Sequence, residues 1–558
     1  MESKQVFGID LGTTYSCIAV VDELSGKPYV LPNVEGDLTT PSVVYFEDTA
    51  TRVVGKEAKN TAVLEPDRVI EMVKRNMGTP DWRWSFEGEE FSPEEISAYI
   101  LRKVADDAEQ SLGARPEDVV ITCPAYFGIP QRDATAAAGR IAGLNVLEVI
   151  NEPTAAAISY GLQDDQDQVV LVYDLGGGTF DVSIIEVMDG SVSVIATGGD
   201  HELGGRDWDE EVVKYLAAEW MAQTGSAADP AASAETLQDL WRRAEDAKRS
   251  LSTRAETKVQ VSHEGQRITV TLTRERFDEL TQYLLENTMV MTRDTMLVAR
   301  ELGHASVDKL LLVGGSTRMP QVMERLRREF GQEPQVHDPD QSVAKGAAIY
   351  GQKLAIGRRI DTEIARELGT SPEEAGAGEV APEVRERAQQ AVADDLGMRL
   401  PALKKLDDMK VTNVVSHSFG VVAVREKGAE LVEYISNLVL AQTPLPAART
   451  REYATVEHNQ DGVDLRIMES SVRQDEVGDT ADGTEVGSAV LPMTPGLPKG
   501  APIEVTFELN QQGRLVITGK DMAVGGKTVI ATIETNRVLS EEDVEKAARR
   551  ARGVSVTG

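Results

Sequence analysis

Asp10-Leu11-Gly12-Thr13-Thr14 and, far downstream, Asp174-Leu175-Gly176-Gly177-Gly178-Thr179 are two versions of one short phrase. Each follows an apolar, strand-like run (6–9, then 169–173) and leads into another (17–21, then 182–187). That setting reads as a phosphate-holding β-hairpin used twice, once in each of two related lobes. An acid at the strand end can hold Mg²⁺ through water, glycine lets the backbone approach a phosphate, and threonine adds N–H and hydroxyl donors. One Asp-Leu-Gly is an ordinary turn. Two copies in matching strand-turn-strand settings point to two lobes closing around a nucleotide.

Composition narrows the rest. The chain has 558 residues, enough for several domains, with 41% hydrophobic and 27% charged residues. Its net charge of −34 argues against nonspecific binding to nucleic acid or acidic membranes, which needs clustered Lys and Arg. No apolar run is long enough for a membrane span. The opening Met1-Glu2-Ser3-Lys4-Gln5 leads straight into a strand without a secretory signal pattern. Two cysteines, Cys17 and Cys123, sit in apolar runs and read as buried thiols, and the six His show no zinc spacing. A cytoplasmic protein is the expectation.

Residues 4 to about 357 alternate strand-like and helix-like stretches, the pattern of an α/β domain. The stretch 369–383 (GTSPEEAGAGEVAPE) reads as an acidic linker, and Val384, Ala388, Val392 and Leu396 mark a helical stripe after it. From Asn413 to about Thr535 short alternating strands with turn signals read as an all-β module. Ser540 with Glu541-Glu542-Asp543 starts a last helix that runs to about Arg552. The expected division is 1–358, a two-lobed α/β nucleotide-binding domain; 359–412, a linker with a helical segment; 413–536, the all-β module; and 537–558, a helix and tail. No Walker A loop is present, and Gly525-Gly526-Lys527-Thr528, the nearest look-alike, reads as a hairpin turn. Two further strands end in glycines, at Gly198-Gly199 and at Gly314-Gly315-Ser316-Thr317-Arg318, where a nucleotide can touch backbone.

With those residues in view, the chain resembles the seventy-kilodalton heat-shock chaperones of the DnaK type (heat shock protein 70). The matching stretches are GIDLGTTYS from Gly8, VKRNMG from Val73, ITCPAYFGIPQRDAT from Ile121 and INEPTAAAISYG from Ile150. YDLGGGTFDVSI from Tyr173, GGDHELGGRDWD from Gly198 and AEDAKRSLS from Ala244 follow. LLLVGGSTRMP from Leu310, DPDQSVAKGAA from Asp338 and, in the β module, PKGAPIEVTFELNQQGRLVITGKD from Pro498 complete them. The resemblance implies an actin-like or sugar-kinase-like two-lobed ATPase domain over 1–358 and a peptide-binding β-sandwich over 413–536, in an ATP-hydrolysing chaperone that uses ATP/ADP and Mg²⁺ to control binding of unfolded or extended polypeptide. A J-domain co-chaperone and a nucleotide-exchange factor are implied partners.

The resemblance also implies roles. Asp10 and Asp174 hold Mg²⁺ through its waters, with Gly12, Thr13, Thr14, Gly176, Gly177 and Thr179 around the phosphates. Lys74 reaches the γ-phosphate, and Glu152 and Asp181 order the attacking water and the ion shell. Tyr15, Thr179 and Asp181 fall where the family binds K⁺. Gly198 and Gly199 belong to the nucleotide-binding set. Glu245, Lys248, Arg249 and Ser252 grip the adenosine, with Gly315, Ser316, Arg318 and Asp340 opposite. Pro124 and Arg132 match the relay between domains. Bottom-up chemistry agrees, because phosphoryl transfer to water is mostly positioning and charge neutralisation. Without the resemblance, Lys74 beside Arg75 reads as a solvated helix face, and Glu245/Lys248/Arg249 as a salt-bridge face at helical spacing.

Val463, Leu465 and Ile467 align near the strand lining the family's peptide groove, although such residues suit a sandwich core equally well. Three departures stand out. Only the first helix of the family's lid is expected, at about Glu541 to Arg552. The stretch at about 359–410 is extra, and the leucine-rich interdomain linker is replaced by Lys410-Val411-Thr412-Asn413-Val414-Val415. These leave coupling between the two sites open and keep a second reading in play, a nucleotide-switched scaffold for one dedicated protein partner. A small-molecule kinase on the same fold has no use for the β module.

Overall fold

The computed structural model describes residues 5–558 apart from 23–24, 162–166, 337, 379, 428–429, 524 and 533–538. Its first sheet runs Asn145–Asn151, Asp118–Cys123, Val6–Asp10, Tyr15–Val21, Pro28–Val30. Val6–Asp10 pairs parallel to Asp118–Cys123 and antiparallel to Tyr15–Val21, with Asp10 opposite Cys17. The second sheet repeats this plan. Gln168–Leu175 pairs parallel to Lys309–Val313 and antiparallel to Phe180–Met188, with Asp174 opposite Asp181. The two Asp-Leu-Gly phrases therefore occupy equivalent corners of two related lobes, as their settings implied. Such strands are covered on both faces and so read as unbroken apolar runs.

Helices Glu152–Gly161 and Ser342–Leu368 share one core with parts of both sheets. Every residue of the shorter helix is buried, which is why Ala155-Ala156-Ala157 can be so small. Contact is close enough that a Cβ at Gly346 would fall on the Ala155 carbonyl, and one at Gly8 on the backbone of Ala348. Close-packed interiors leave no room to relax such an overlap. Cys17 and Cys123 are both free and buried, as expected.

The 359–412 stretch departs from its reading as a linker. Ser342–Leu368 runs straight through position 358, and Pro372–Ala377, Pro382–Leu396 and Leu400–Asp408 are helices. Ala375, Ala388, Val392, Ala393, Leu403 and Leu406 complete the core that the two lobes share. The Gly and Pro residues that looked like linker composition are helix punctuation. Gly369 (φ 69) and Gly397 (φ 64) are left-handed caps, and Pro372 and Pro382 sit in first turns. The stripe at Val384, Ala388, Val392 and Leu396 does lie on one helix face against that core.

Helix Leu400–Asp408 delivers Val411–Thr412 onto the edge of the second-lobe sheet, parallel to Val192 and Ser193. Beyond it, among the described residues, the sandwich has five strands in one sheet and four in the other. The Gly525–Gly526 segment joins the antiparallel pair Leu515–Asp521 and Thr528–Thr532, a hairpin as expected. Strand Gly462–Ser470 carries Val463, Leu465 and Ile467 on one face by alternation. Leu465 and Ile467 are buried in the sandwich core, so this face is core; only Val463 keeps some exposure. Helix Glu541–Arg552 lies on the first lobe, burying Val544, Ala547 and Ala551 there, and Ser555–Thr557 adds a parallel strand beside Thr51–Val54.

Candidate active site

The two hairpins face each other across a cleft of about 660 Å³. A Cβ at Gly177 would fall on the Thr14 side chain and one at Gly178 on Thr13, so the glycines are what let the two turns interlock. Ser42 Oγ donates to Gly12 O at 2.7 Å, and Ser316 Oγ donates to Gly176 O at 2.9 Å, each bracing one turn from its own lobe. Asp10, Gly12, Thr13, Thr14, Tyr15, Lys74, Glu152, Asp174, Gly176, Gly177 and Thr179 all line the cleft. So do Glu245, Lys248, Arg249, Ser252, Gly315, Ser316, Arg318 and Asp340.

At its floor, Lys74 Nζ donates to Glu152 Oε1 at 2.6 Å, with the lysine side chain only 3% exposed. Burial works against the ammonium, yet the charges of Glu152 and Asp10 hold its pKa above that of a free lysine. The carboxylate pKa values rise as well, which for an acid disfavours the charged form. Burial, then Glu152, pushes Asp10 up to about 7 and Asp181 up to about 8. Burial, then Glu152 and Asp181, raises Asp174 as well. One lysine does not balance Asp10, Asp174, Asp181 and Glu152. Among the described residues no group of three or more His, Cys, Asp or Glu is placed to ligate a metal directly. Excess buried carboxylate with room for a hydrated ion fits Mg²⁺ held through its waters.

The open end is held by charge pairs. Lys59 Nζ reaches Glu245 Oε2 at 2.5 Å, Arg249 reaches Glu245 Oε1 at 2.7 Å, and the Tyr15 hydroxyl accepts from Arg249 at 2.7 Å. The helical spacing of Glu245 and Arg249 is thus a salt bridge and a cleft wall at once. Lys248 turns aside to Asp209 at 2.7 Å and Gly205 O at 2.6 Å. Arg318 pairs with Asp340 at 2.5 Å.

Some expected residues stand elsewhere. Gly198, Gly199 and Asp181 do not line the cleft. Asp181 lies behind it, where Tyr126 N donates to its Oδ1 at 3.1 Å. A Cβ at Gly199 would fall 2.3 Å from the Phe180 carbonyl oxygen, and one at Gly198 would meet Thr295 Oγ1. Pro124 and Arg132 also lie outside the cleft, the latter donating to Asn151 Oδ1 and, at 2.8 Å, to Val149 O.

Lys59, Arg206, Asp209 and Trp241 line the cleft without having been singled out. The Arg206 guanidinium stacks 3.4 Å from the centre of the Trp241 ring and reaches Glu71 at 3.6 Å. Trp241 precedes Glu245 by one helical turn, a spacing that could have found it.

A family model described as Hsp70 protein matches residues 6–363 and 397–556. The chain belongs to the Hsp70 family. An ATP-dependent chaperone function follows, with ATPase activity, binding of ATP or ADP with Mg²⁺, and polypeptide substrates and co-chaperones as partners. The match leaves out 364–396, the end of helix Ser342–Leu368 together with helices Pro372–Ala377 and Pro382–Leu396. No helix among the described residues is long and apolar enough to cross a membrane.

Proposed function

We propose that this Hsp70 protein seats the phosphates of ATP between the Asp10–Tyr15 and Asp174–Thr179 turns and hydrolyses it to control polypeptide binding by the β-sandwich. The observation that carries the reading is the buried Lys74–Glu152 pair beside Asp10 and Asp174 at the floor of the cleft. Lys74 would approach the γ-phosphate, leaving Glu152 free to orient water. Asp10 and Asp174 would hold Mg²⁺ through its waters, and the ion would neutralise phosphate charge during transfer. Tyr15, Thr179 and Asp181 are the candidates for a K⁺ ion. Glu245, Lys248, Arg249, Ser252, Gly315, Ser316, Arg318 and Asp340 would surround the adenosine.

Val411–Thr412, hydrogen-bonded into the second-lobe sheet, supports coupling between cleft and sandwich. Thr154 Oγ1 donating to Asn413 Oδ1 at 3.1 Å, and the Gln442 amide accepting from Thr197 N at 2.9 Å and donating to Thr197 O at 2.7 Å, add to that support. A cytoplasmic location, a J-domain partner and an exchange factor belong to the same reading. Steady-state ATPase with and without a short hydrophobic peptide tests it, with Lys74→Ala as the blank. Stimulation that vanishes in the variant is expected. A rate indifferent to peptide, together with one stable co-purifying partner, would favour a dedicated scaffold instead.

A further inference from the structure

Lys74 stands on a very short element. Val73–Asn76 is a single 3₁₀ turn, entered through Met72 in the left-handed region (φ 61) and without a side-chain cap. Its own backbone bonds are Arg75 N to Met72 O at 3.1 Å and Met77 N to Lys74 O at 3.2 Å. So short a turn gains little rigidity from within. The groups that grip it come from the other lobe.

Two ion pairs of opposite sense do the gripping. Arg75, just after Lys74, donates to Asp207 Oδ2 at 2.7 Å and to Gly178 O at 2.9 Å. Glu71, just before the turn, faces Arg206 at 3.6 Å. Arg206 and Asp207 are neighbours in the first turn of helix Gly205–Thr224. The backbone there is fastened to the second-lobe glycine turn, with Gly205 N donating to Gly176 O at 3.0 Å and Arg206 N to Gly177 O at 2.8 Å. One helix start thus holds the Lys74 turn by side chains and the Asp174–Thr179 turn by backbone.

Arg206 is a costly residue in that place. A helix start carries partial positive charge and disfavours a cation. Desolvation works against the guanidinium and Arg75 repels it, while Glu71, Asp209 and Glu245 favour it. Trp241 fixes its direction, the guanidinium lying 3.4 Å from the centre of that ring.

We propose that Arg206, held by Trp241, is a positioning residue for Lys74: its pair with Glu71 across the cleft, beside the Arg75–Asp207 pair, sets the Lys74 turn against the Asp174–Thr179 turn. In this role it touches no substrate and acts through Lys74. This deepens the proposed function and rests on Lys74 approaching the γ-phosphate there.

The test uses the full chain. Arg206→Ala should slow single-turnover ATP hydrolysis about tenfold, the scale of a displaced reacting group, while the Kd for Mg·ATP stays within about twofold. Glu71→Gln should slow it about threefold, and should add nothing once Arg206 is alanine. In a Lys74→Ala background, Arg206→Ala should change the rate by less than about twofold. A second tenfold loss there would mean that Arg206 meets the phosphates itself, and would overturn the positioning role. Additive losses from Glu71 and Arg206, or an unchanged rate for Arg206→Ala, would overturn it too. Arg206→Lys keeps the charge without the planar fork; it should retain part of the rate and serves if the alanine variant folds poorly. If the unmodified chain hydrolyses no ATP, or Lys74→Ala leaves hydrolysis intact, the proposed function fails instead. Amide exchange at Arg75 and Met77 in the nucleotide-free chain then decides. Exchange about tenfold faster in Arg206→Ala supports the hold on the turn, and unaltered protection overturns it.

Discussion

Lys74 and Glu152 meet at 2.6 Å from different lobe elements, a 3₁₀ turn (Val73–Asn76) and the first residue of helix Glu152–Gly161. Both are buried, and burial with the charges of Glu152, Asp181 and Asp10 raises the pKa of Asp174 beside them. A salt bridge in such a place is a poor source of stability, because desolvation offsets its attraction. Its position between the two hairpins makes sense as a charge arrangement waiting for phosphate.

Lys74→Ala should lower ATP hydrolysis about 10²- to 10³-fold, the usual effect of losing one group aimed at developing charge. It also strands Glu152 among carboxylates, a loss of about 3–5 kcal/mol by analogy with broken buried pairs. The nucleotide-free variant should therefore melt early. Glu152→Gln in the same chain should recover much of the melting temperature and none of the activity. Calorimetry and a phosphate-release assay check both halves.

Asp10 at about 7 and Asp181 at about 8 titrate above ordinary carboxylates, so between about pH 4 and 8 the folded chain holds protons that the unfolded chain has released. These groups therefore make the nucleotide-free protein less stable as pH rises through that window. Mg²⁺ brought with ADP favours their ionised forms, so binding at about pH 7 should release protons, and fewer at about pH 9. Titration calorimetry in buffers of different ionisation enthalpy measures the count. No release at neutral pH would contradict the charge arrangement.

Gly346→Ala should destabilise the ATPase domain by about 1–3 kcal/mol or prevent its folding, because the new methyl meets the Ala155 carbonyl on a neighbouring helix. Gly357, on the same helix, has nothing within 4 Å of an added Cβ. Gly357→Ala should be neutral or mildly stabilising, by up to about 1 kcal/mol. Chemical denaturation of the pair separates close packing from helix propensity.

Arg102 donates from the first lobe to the carbonyls of Ala551 and, at 2.9 Å, Val554, while Arg550 pairs with Glu95 and packs 4.4 Å from the centre of the Phe91 ring. Charge-assisted bonds of this kind contribute about 1.5–3 kcal/mol each. Arg102→Ala should release strand Ser555–Thr557 from Thr51–Val54, seen as loss of amide protection there with the nucleotide cleft unaffected. Retained protection would assign the docking to Val544, Ala547 and Ala551 alone.

Val411 is half-buried against the shared core while its strand extends the second-lobe sheet. Val411→Asp places a charge there, at a cost of about 2 kcal/mol or more. The linker should undock and any effect of peptide on ATPase rate should disappear. A peptide effect that survives would route coupling through Gln442 instead.

Much of this was readable along the chain, for a physical reason. The hairpin phrases, the buried strands and the glycine-ended strand at Gly314 are local patterns, set by side-chain period and by backbone that must come close to a ligand. Resemblance then assigned Lys74, Glu152 and the adenosine-side residues to one site, and the fold brings them into one cleft. Composition misled where one residue type serves two purposes. Gly369, Pro372 and Pro382 look the same in a linker as at helix ends, and only the core that Ala375, Ala388 and Leu403 join distinguishes the two. Leu465 and Ile467 alternate as groove and as core alike.

The sequence by itself determined the two-lobed α/β plan, the β module and the paired glycine-bearing hairpins, because those follow from short-range pattern. Only the tertiary structure decided that Asp181 sits outside the cleft lining, that Arg206 stacks on Trp241 within it, and that Glu469 meets Gly128. Those relationships join residues far apart in the chain. Nothing local requires them; they exist because burial and charge compensation are satisfied only when the whole chain has closed on itself.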